Sequence, residues 1–377
     1  MKVLIGINPK GHSHLAMDEL DGLNKAGLQC ESVRYGRKDF SVNGPLGRVM
    51  DAVVNSFRII SKLYRSSPDI LYLNSRLEPV ASVRDFITVF LIRIFYYGKL
   101  KVVIKSHGSD LAVLTTRSFI YKRIIVPFLA KQIDLWLFLS KEEKRLVWKI
   151  NPRMAKRIFV TTNIIEPSRL SSSLDFRNKY QLNNGKLKIA FIGRVINEKG
   201  VFEFLKAIPL IERKDLCDFI FVGDGDALVR IKGLARELNV SQHIRFLGWV
   251  DQDEAEGFYD SVDILVFPTF FGEGFPMALF KSVVSGLPVV TTRTRAAIDH
   301  LTMPENVIWV EPRSEVQVAE AINQLVCNEE LRRFMSDNNK RMADRFSQAK
   351  VCDQMSEVFT SLYPSQKFKV YEYDQTT

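Results

Sequence analysis

Cysteine is scarce in this chain. The four thiols, Cys30, Cys217, Cys327 and Cys352, lie far apart and form no CxxC pair, which excludes a zinc ribbon and a disulfide framework and makes a reducing cytoplasm the natural compartment. Histidine is nearly as rare, and His12 and His14 have no carboxylate or thiol at metal-ligand spacing, so no metal site is expected. Long apolar runs are missing too. The most apolar segment, Phe86 to Tyr97, is interrupted by Arg93 and falls well short of the roughly 20 residues that a spanning helix needs. At the amino terminus, MKVLIGINPKG breaks on Asn8, Pro9 and Lys10, too soon for a signal-peptide core, and reads as a first strand. There is no GxxxxGK[ST] loop, no GxSxG elbow and no repeat, and GDGDAL at 223–228 lacks the third glycine of a dinucleotide fingerprint.

What is present is an ordinary globular composition, 46% hydrophobic and 25% charged, in a chain of 377 residues, long enough for two cores. The formal net charge of +10 is uneven. Its excess lies before residue 165, and the remainder is slightly acidic. A basic half suits anionic partners: a membrane surface, nucleic acid or a phosphorylated substrate. Two segments of that half, RDFITVFLIRIFYYGKLK and RSFIYKRIIVPFLAK, alternate apolar faces with cations, as helices on an anionic bilayer do and as core helices with charged outer faces also do.

Twelve short β-rich runs alternate with amphipathic segments. Six precede residue 165, from Val3–Ile7 to Ile158–Thr162, and six follow, from Lys188–Gly193 to Val307–Val310. Helical patterns between them include Asp110–Gln132, Leu228–Leu238 and Val316–Asn323. Such alternation predicts an α/β chain of two doubly wound, Rossmann-like domains. The expected boundaries are a domain over 1–165, a linker over 166–187 rich in Ser, Asn and Pro, a second domain over 188–345, and a helix and tail over 346–377 that crosses back to the first domain. Ligands of such sheets bind beyond the carboxyl ends of the strands, so the loops there are the places to search.

In KIAFIGRVINEKGVFEFLKAI (188–208), a strand ends at Gly193, and Arg194 and Lys199 precede a helix. Two cations at a helix amino terminus favour an anion, the arginine by forking onto phosphate oxygens and the lysine as a point charge. In FGEGFPMALFKSVVSGLPVV (271–290), Gly272 and Gly274 flank Glu273 and let backbone approach a ligand closely. A carboxylate at that turn accepts hydrogen bonds from sugar hydroxyls. In the first half, VVIKSHGSDL places His107 at a strand end, with Gly108 after it.

GRVINEKG, VGDGD, FLGWV and PTFFGEGFPMALFKSVVSGLPVV, in that order and spacing, resemble the carboxyl-terminal domain of retaining GT-B glycosyltransferases of family four, the group 1 transferases that include many makers of bacterial surface polysaccharide. The resemblance is dense over 188–310 and thin before 165. It implies the GT-B fold, with two Rossmann-like domains facing across a cleft, and transfer with retention from a nucleotide-diphosphate sugar, UDP- or GDP-linked, without a separate cofactor or metal. By the same resemblance Arg194 and Lys199 hold the diphosphate, Glu273 contacts the transferred sugar, and Gly193, Gly274 and Phe275 border the donor. The Gly248–Val250 loop, with Gly248 and Val250 at its ends, receives the base. His107 faces the donor sugar, and Gly11 answers to the glycine loop of the first domain. Where the family has a second glutamate on the ribose hydroxyls, this chain has Lys281, which only donates; it either reaches a phosphate or turns outward. The implied acceptor is a glycan or a polyprenyl-diphosphate-linked glycan, as in capsule, O-antigen or exopolysaccharide synthesis. The protein is then cytoplasmic, or peripheral on the inner face of the plasma membrane, with no nucleic-acid partner. Two alternatives stand beside the transferase: a GT-B epimerase, and a non-catalytic scaffold that keeps the fold.

Overall fold

The computed structural model describes residues 1–9, 13–36, 44–111, 113, 119–170, 176–182 and 185–363. The chain divides into two units, Met1–Ile164 with the helix Gln348–Thr360, and Ile165–Ser347.

The first unit is built from β1 (Lys2–Ile7), α1 (Ser13–Lys25), β2 (Gln29–Arg34), α2 (Pro45–Ser66), β3 (Ile70–Leu77), α3 (Pro79–Phe95), β4 (Lys101–Ser109), β5 (Leu135–Phe138) and β6 (Ile158–Val160). Its parallel sheet runs β2-β1-β3-β4-β5-β6. The second unit contributes β7 (Leu187–Ile192), β8 (Cys217–Val222), β9 (Ile244–Gly248), β10 (Ile264–Phe267), β11 (Val289–Thr292) and β12 (Val307–Val310). They lie parallel in the order β12-β11-β10-β7-β8-β9. Counted within the unit this is the Rossmann order, whereas the first unit has the other common doubly wound order. The central strands are apolar throughout because helices cover both faces: all six residues of β8, CDFIFV, are buried.

Strand order fixes where ligands go. The direction of winding reverses between β1 and β3 in the first sheet and between β7 and β10 in the second, so the loops leaving those strands diverge and open a crevice.

The first core encloses an ion pair. Lys105 Nζ, on β4, lies 2.5 Å from Glu19 Oε1 and donates to the Thr162 carbonyl at 2.9 Å, while the Tyr72 hydroxyl donates to Glu19 Oε2 at 2.7 Å. Both ions are fully buried. Burial pushes the Glu19 carboxyl up, but the Lys105 ammonium and then His107 outweigh it and hold the group below its ordinary value.

The described residues of the stretch 166–187, expected as a linker, belong to the second unit. Phe176 is buried and packs edge-on to Phe258, and Arg177 Nε donates to the Ser261 carbonyl at 3.2 Å. The division at the far end falls after Ser347, and Gln348–Thr360 packs on α1, where Gln348 Nε2 donates to the Asp18 carbonyl at 2.8 Å. Within the helical pattern read over Asp110–Gln132, Tyr121–Ile125 is a π turn that leads into an α-helix, Val126–Gln132. No described helix is long and apolar enough to cross a membrane.

Replacing Lys105 by Met strands a carboxylate in the core and should cost about 3–5 kcal/mol of unfolding free energy. Adding Glu19→Gln should recover most of it, as read by urea denaturation. Because the Glu19 carboxyl is held low, the pair stabilises above the ordinary carboxylate range, and that contribution is lost as pH falls through the lowered pKa.

Candidate functional site

The winding switch of the second unit brings the loop after β7 against the loop after β10. Gly193 leaves β7 at φ +149, and Gly200 sits at φ +76 just before the helix Val201–Ala207. A Cβ on Gly200 would lie 2.2 Å from the Pro268 carbonyl oxygen, so only glycine lets the two loops touch. The Glu198 carbonyl then accepts from the backbone of Phe270 at 2.8 Å and of Phe271 at 2.9 Å. The neighbouring strand-end loops are tied in as well. Gly193 donates to the Val222 carbonyl at 3.0 Å and Gly223 to the Gly248 carbonyl at 2.7 Å. A Cβ on Gly223 would strike the Gly193 carbonyl oxygen at 1.9 Å, which explains the glycines of VGDGD without any ligand.

Lys199 and Glu273 meet on this frame as an ion pair. Two aromatic rings wall the cations: Lys199 Nζ stands 5.2 Å from the Phe267 centroid and 5.1 Å from that of Phe271, and Arg194 Cζ lies 5.4 Å from Phe271. Burial first, and then the Arg194 guanidinium, push the Lys199 ammonium down to about 7. The position of Gly272 adds a further cation, since a Cβ there would lie 3.3 Å from an Arg295 guanidinium nitrogen.

Gly274 and Phe275 continue the loop into the helix Met277–Val284. The Phe275 ring stacks on Phe280 at 3.9 Å and is 6% exposed, so its side chain anchors the loop in the core. At the end of β9, Gly248 holds φ +71 and Val250 is buried, while Trp249 between them is 77% exposed. Lys281 Nζ lies 3.8 Å from Glu256 Oε1 on the helix Gln252–Phe258, so the cation that replaces an expected carboxylate has a carboxylate facing it.

His107 belongs to the first unit, at the end of β4. Its Nε2 lies 2.6 Å from Asn74 Oδ1 and its Nδ1 3.1 Å from Asn163 Oδ1, which fixes the ring from both sides. Gly11 lies outside the described residues. Gly193, Arg194, Lys199, Glu273 and Gly274 thus converge in one site, with Gly248 and Val250 one loop along. Glu256 and Arg295 were not legible in the sequence, because each joins the site by packing from a separate segment. Phe271 and Trp249 lie in the loops that were read, and only the structure shows the Phe271 ring beside the cations and the Trp249 side chain exposed.

With this geometry in hand, the family described as glycosyl transferases group 1 matches residues 172–342. That match spans nearly all of the second unit. An uncharacterized glycosyltransferase of Methanocaldococcus jannaschii is 23% identical over 339 residues, covering 87% of this chain and 84% of that protein. Another from the same archaeon is 25% identical over 208 residues, only about half of either chain. The capsular polysaccharide biosynthesis glycosyltransferase CapM of Staphylococcus aureus is 24% identical over 244 residues, 55% of this chain and 59% of that one. Among solved structures, Anabaena HepE in complex with UDP-glucose aligns with a TM-score of 0.73 and 16% identity over 96% of this chain and 100% of that chain. At that identity it speaks for the fold, and the fold is GT-B. The family match and these relatives, all named glycosyltransferases, support the enzyme class glycosyltransferase.

Gly200→Ala tests the frame of the second unit. It should lower stability by about 1–3 kcal/mol, seen as a fall in Tm, because the left-handed backbone and the Pro268 carbonyl both reject a methyl group.

Proposed function

We propose that the chain transfers a sugar, with retention, from a nucleotide-diphosphate sugar to a glycan or lipid-linked glycan acceptor of a surface polysaccharide. One observation carries this reading: a buried lysine and an arginine stand beside a glutamate between two glycine loops at a winding switch. Two cations suit a diphosphate. When the bond from the anomeric carbon to phosphate oxygen breaks, its electron pair goes to the diphosphate, and Arg194 and Lys199 neutralise the charge that builds there. Glu273, now paired with Lys199, is freed by the incoming phosphate to accept hydrogen bonds from the sugar hydroxyls. His107, fixed by Asn74 and Asn163, orients the sugar.

The HepE structures that share this fold hold UDP, UDP-glucose, or UDP and glucose, which supports a UDP-linked donor here. Trp249 offers a face for base stacking. Glu256 supplies the acceptor oxygens for ribose that Lys281 lacks, with Lys281 holding its carboxylate in place. Relatives named for capsule, amylovoran and lipopolysaccharide core biosynthesis support the product class. The expectation that Lys281 itself grips the donor gives way in this reading to the pair.

Incubation with a panel of UDP- and GDP-sugars, followed by NMR of the released or transferred sugar, tests the activity. The α-anomeric configuration of the donor should be kept, and turnover of no donor would sink the reading in favour of a scaffold. Arg194→Ala and Lys199→Ala should each lower kcat by about a hundredfold or more. A bound diphosphate favours the ammonium form of Lys199, so binding takes up a proton. UDP affinity should therefore fall as pH rises through about 7, as read by calorimetry, and Lys199→Ala should flatten that profile. Glu256→Ala should weaken UDP about tenfold while sparing inorganic diphosphate; equal affinity for UDP in wild type and variant would remove Glu256 from the site.

A further inference from the structure

The chain passes between the two units twice, after Ile164 and again after Ser347. The second unit ties its own two ends together. The N–H of Ile165, its first residue, donates to the Phe346 carbonyl at 2.8 Å, and both side chains are buried. Phe346 closes the short 3-10 turn Ala343–Phe346, which continues the helix Glu329–Met342.

The Phe346 ring belongs to an aromatic cluster drawn from separate elements. It meets Phe280, in the helix Met277–Val284, at 5.4 Å, Phe275 at 6.1 Å and His300, at the end of the helix Arg295–His300, at 5.7 Å. Phe280 stacks on Phe275, and His300 stands edge-on to both, 5.7 Å from Phe280 and 6.4 Å from Phe275. Phe275, Phe280 and Phe346 are all buried.

This cluster anchors one side of the loop that carries Glu273. On its amino-terminal side the loop is bonded to the Glu198 carbonyl through Phe270 and Phe271. On its carboxyl side Gly274 has no side chain to hold it, and Phe275 is the next residue that has one. The place of Glu273 therefore depends on where the Phe275 ring is seated. The far side of the cluster is held as firmly. Asn339, buried on the helix Glu329–Met342, donates from Nδ2 to the Leu287 carbonyl at 2.7 Å, just past the helix Met277–Val284. The two helices are fastened by that amide at one point and by Phe346 on Phe280 at another. Close-packed rings leave no void to take up a shift. A displacement of the Glu273 loop is then felt at Phe346, and through its carbonyl at the Ile165 N–H.

We infer that Phe346 is a positioning residue for the Glu273 loop, and that the bond between the two crossings is held more firmly when that loop is occupied. A ligand gripped by Glu273 and the backbone around it restricts the loop, so the Phe275 ring moves less and the Ile165 bond opens less often. The inference rests on the diphosphate site proposed above for its ligand, whereas the ring packing and the Ile165–Phe346 bond need none. Such coupling is reciprocal: what loosens the cluster weakens the ligand, and the ligand protects the crossing.

Amide hydrogen exchange of the full chain, read by mass spectrometry with residue-level fragmentation, tests this without and with UDP. Without ligand, Phe275→Leu should speed exchange of the Ile165 amide about tenfold while the amides of β8 keep the wild-type rate. Phe280→Leu serves the same purpose should the first variant not fold. Saturating UDP should slow the Ile165 amide of the wild type about tenfold, and Phe346→Leu should remove most of that protection and raise the UDP Kd, by calorimetry, about tenfold. Exchange at Ile165 that rises only in step with β8 makes the rings plain core and overturns the inference. So does UDP that binds and leaves the Ile165 amide of the wild type unprotected. UDP that does not bind at all counts against the diphosphate site, and the ligand-free comparison of Phe275→Leu with the wild type then decides the inference by itself.

Discussion

A lysine ammonium buried between two loops is the constraint on which the second unit turns. Lys199 is held among Phe267, Phe271, Arg194 and Glu273, and burial beside another cation depresses its pKa. An ammonium in such a place is costly without an anion. Glu273 meets that need. In the proposed function a diphosphate, with two charges for two cations, takes its place and releases the carboxylate for the sugar.

The rest of the unit serves that contact. Parallel strands β7 and β10 must be neighbours for their loops to meet, and the Rossmann order makes them so. Gly200 removes the side chain that would keep the loops apart, and Phe275 locks the second loop into the aromatic core through Phe280. The first unit repeats the logic with different chemistry. Its winding switch is lined by apolar helix faces and by an amide–imidazole pair rather than by a buried cation over aromatic rings. One sheet type thus supplies two chemically unlike switch points, because the side chains there differ and the geometry does not.

Much of this was legible in the letters. All twelve strands were: the central ones are continuous apolar runs because both faces are covered, whereas the edge strand β2, QCESVR, was read from its place in the strand–helix alternation. Gly193, Arg194, Lys199 and Glu273 were legible because charge beside glycine at a strand end is a local pattern. The place of residues 166–187 was not: their Ser and Asn content reads as linker, and contacts made by folding, Phe176 on Phe258 and Arg177 on the Ser261 carbonyl among them, attach the described part to the second unit. Nor was the role of Lys281, whose partner Glu256 lies on another helix and is brought to it by folding. Residues that act within one loop can be read from a sequence, whereas those that act across elements need the fold.

A crystal structure of the chain with UDP tests the proposed donor site most directly. Diphosphate oxygens should lie at hydrogen-bonding distance, about 2.7–3.2 Å, from the Arg194 guanidinium and the Lys199 ammonium, with Glu273 moved off Lys199. UDP bound elsewhere, or bound with the Lys199–Glu273 pair intact, would overturn the donor site.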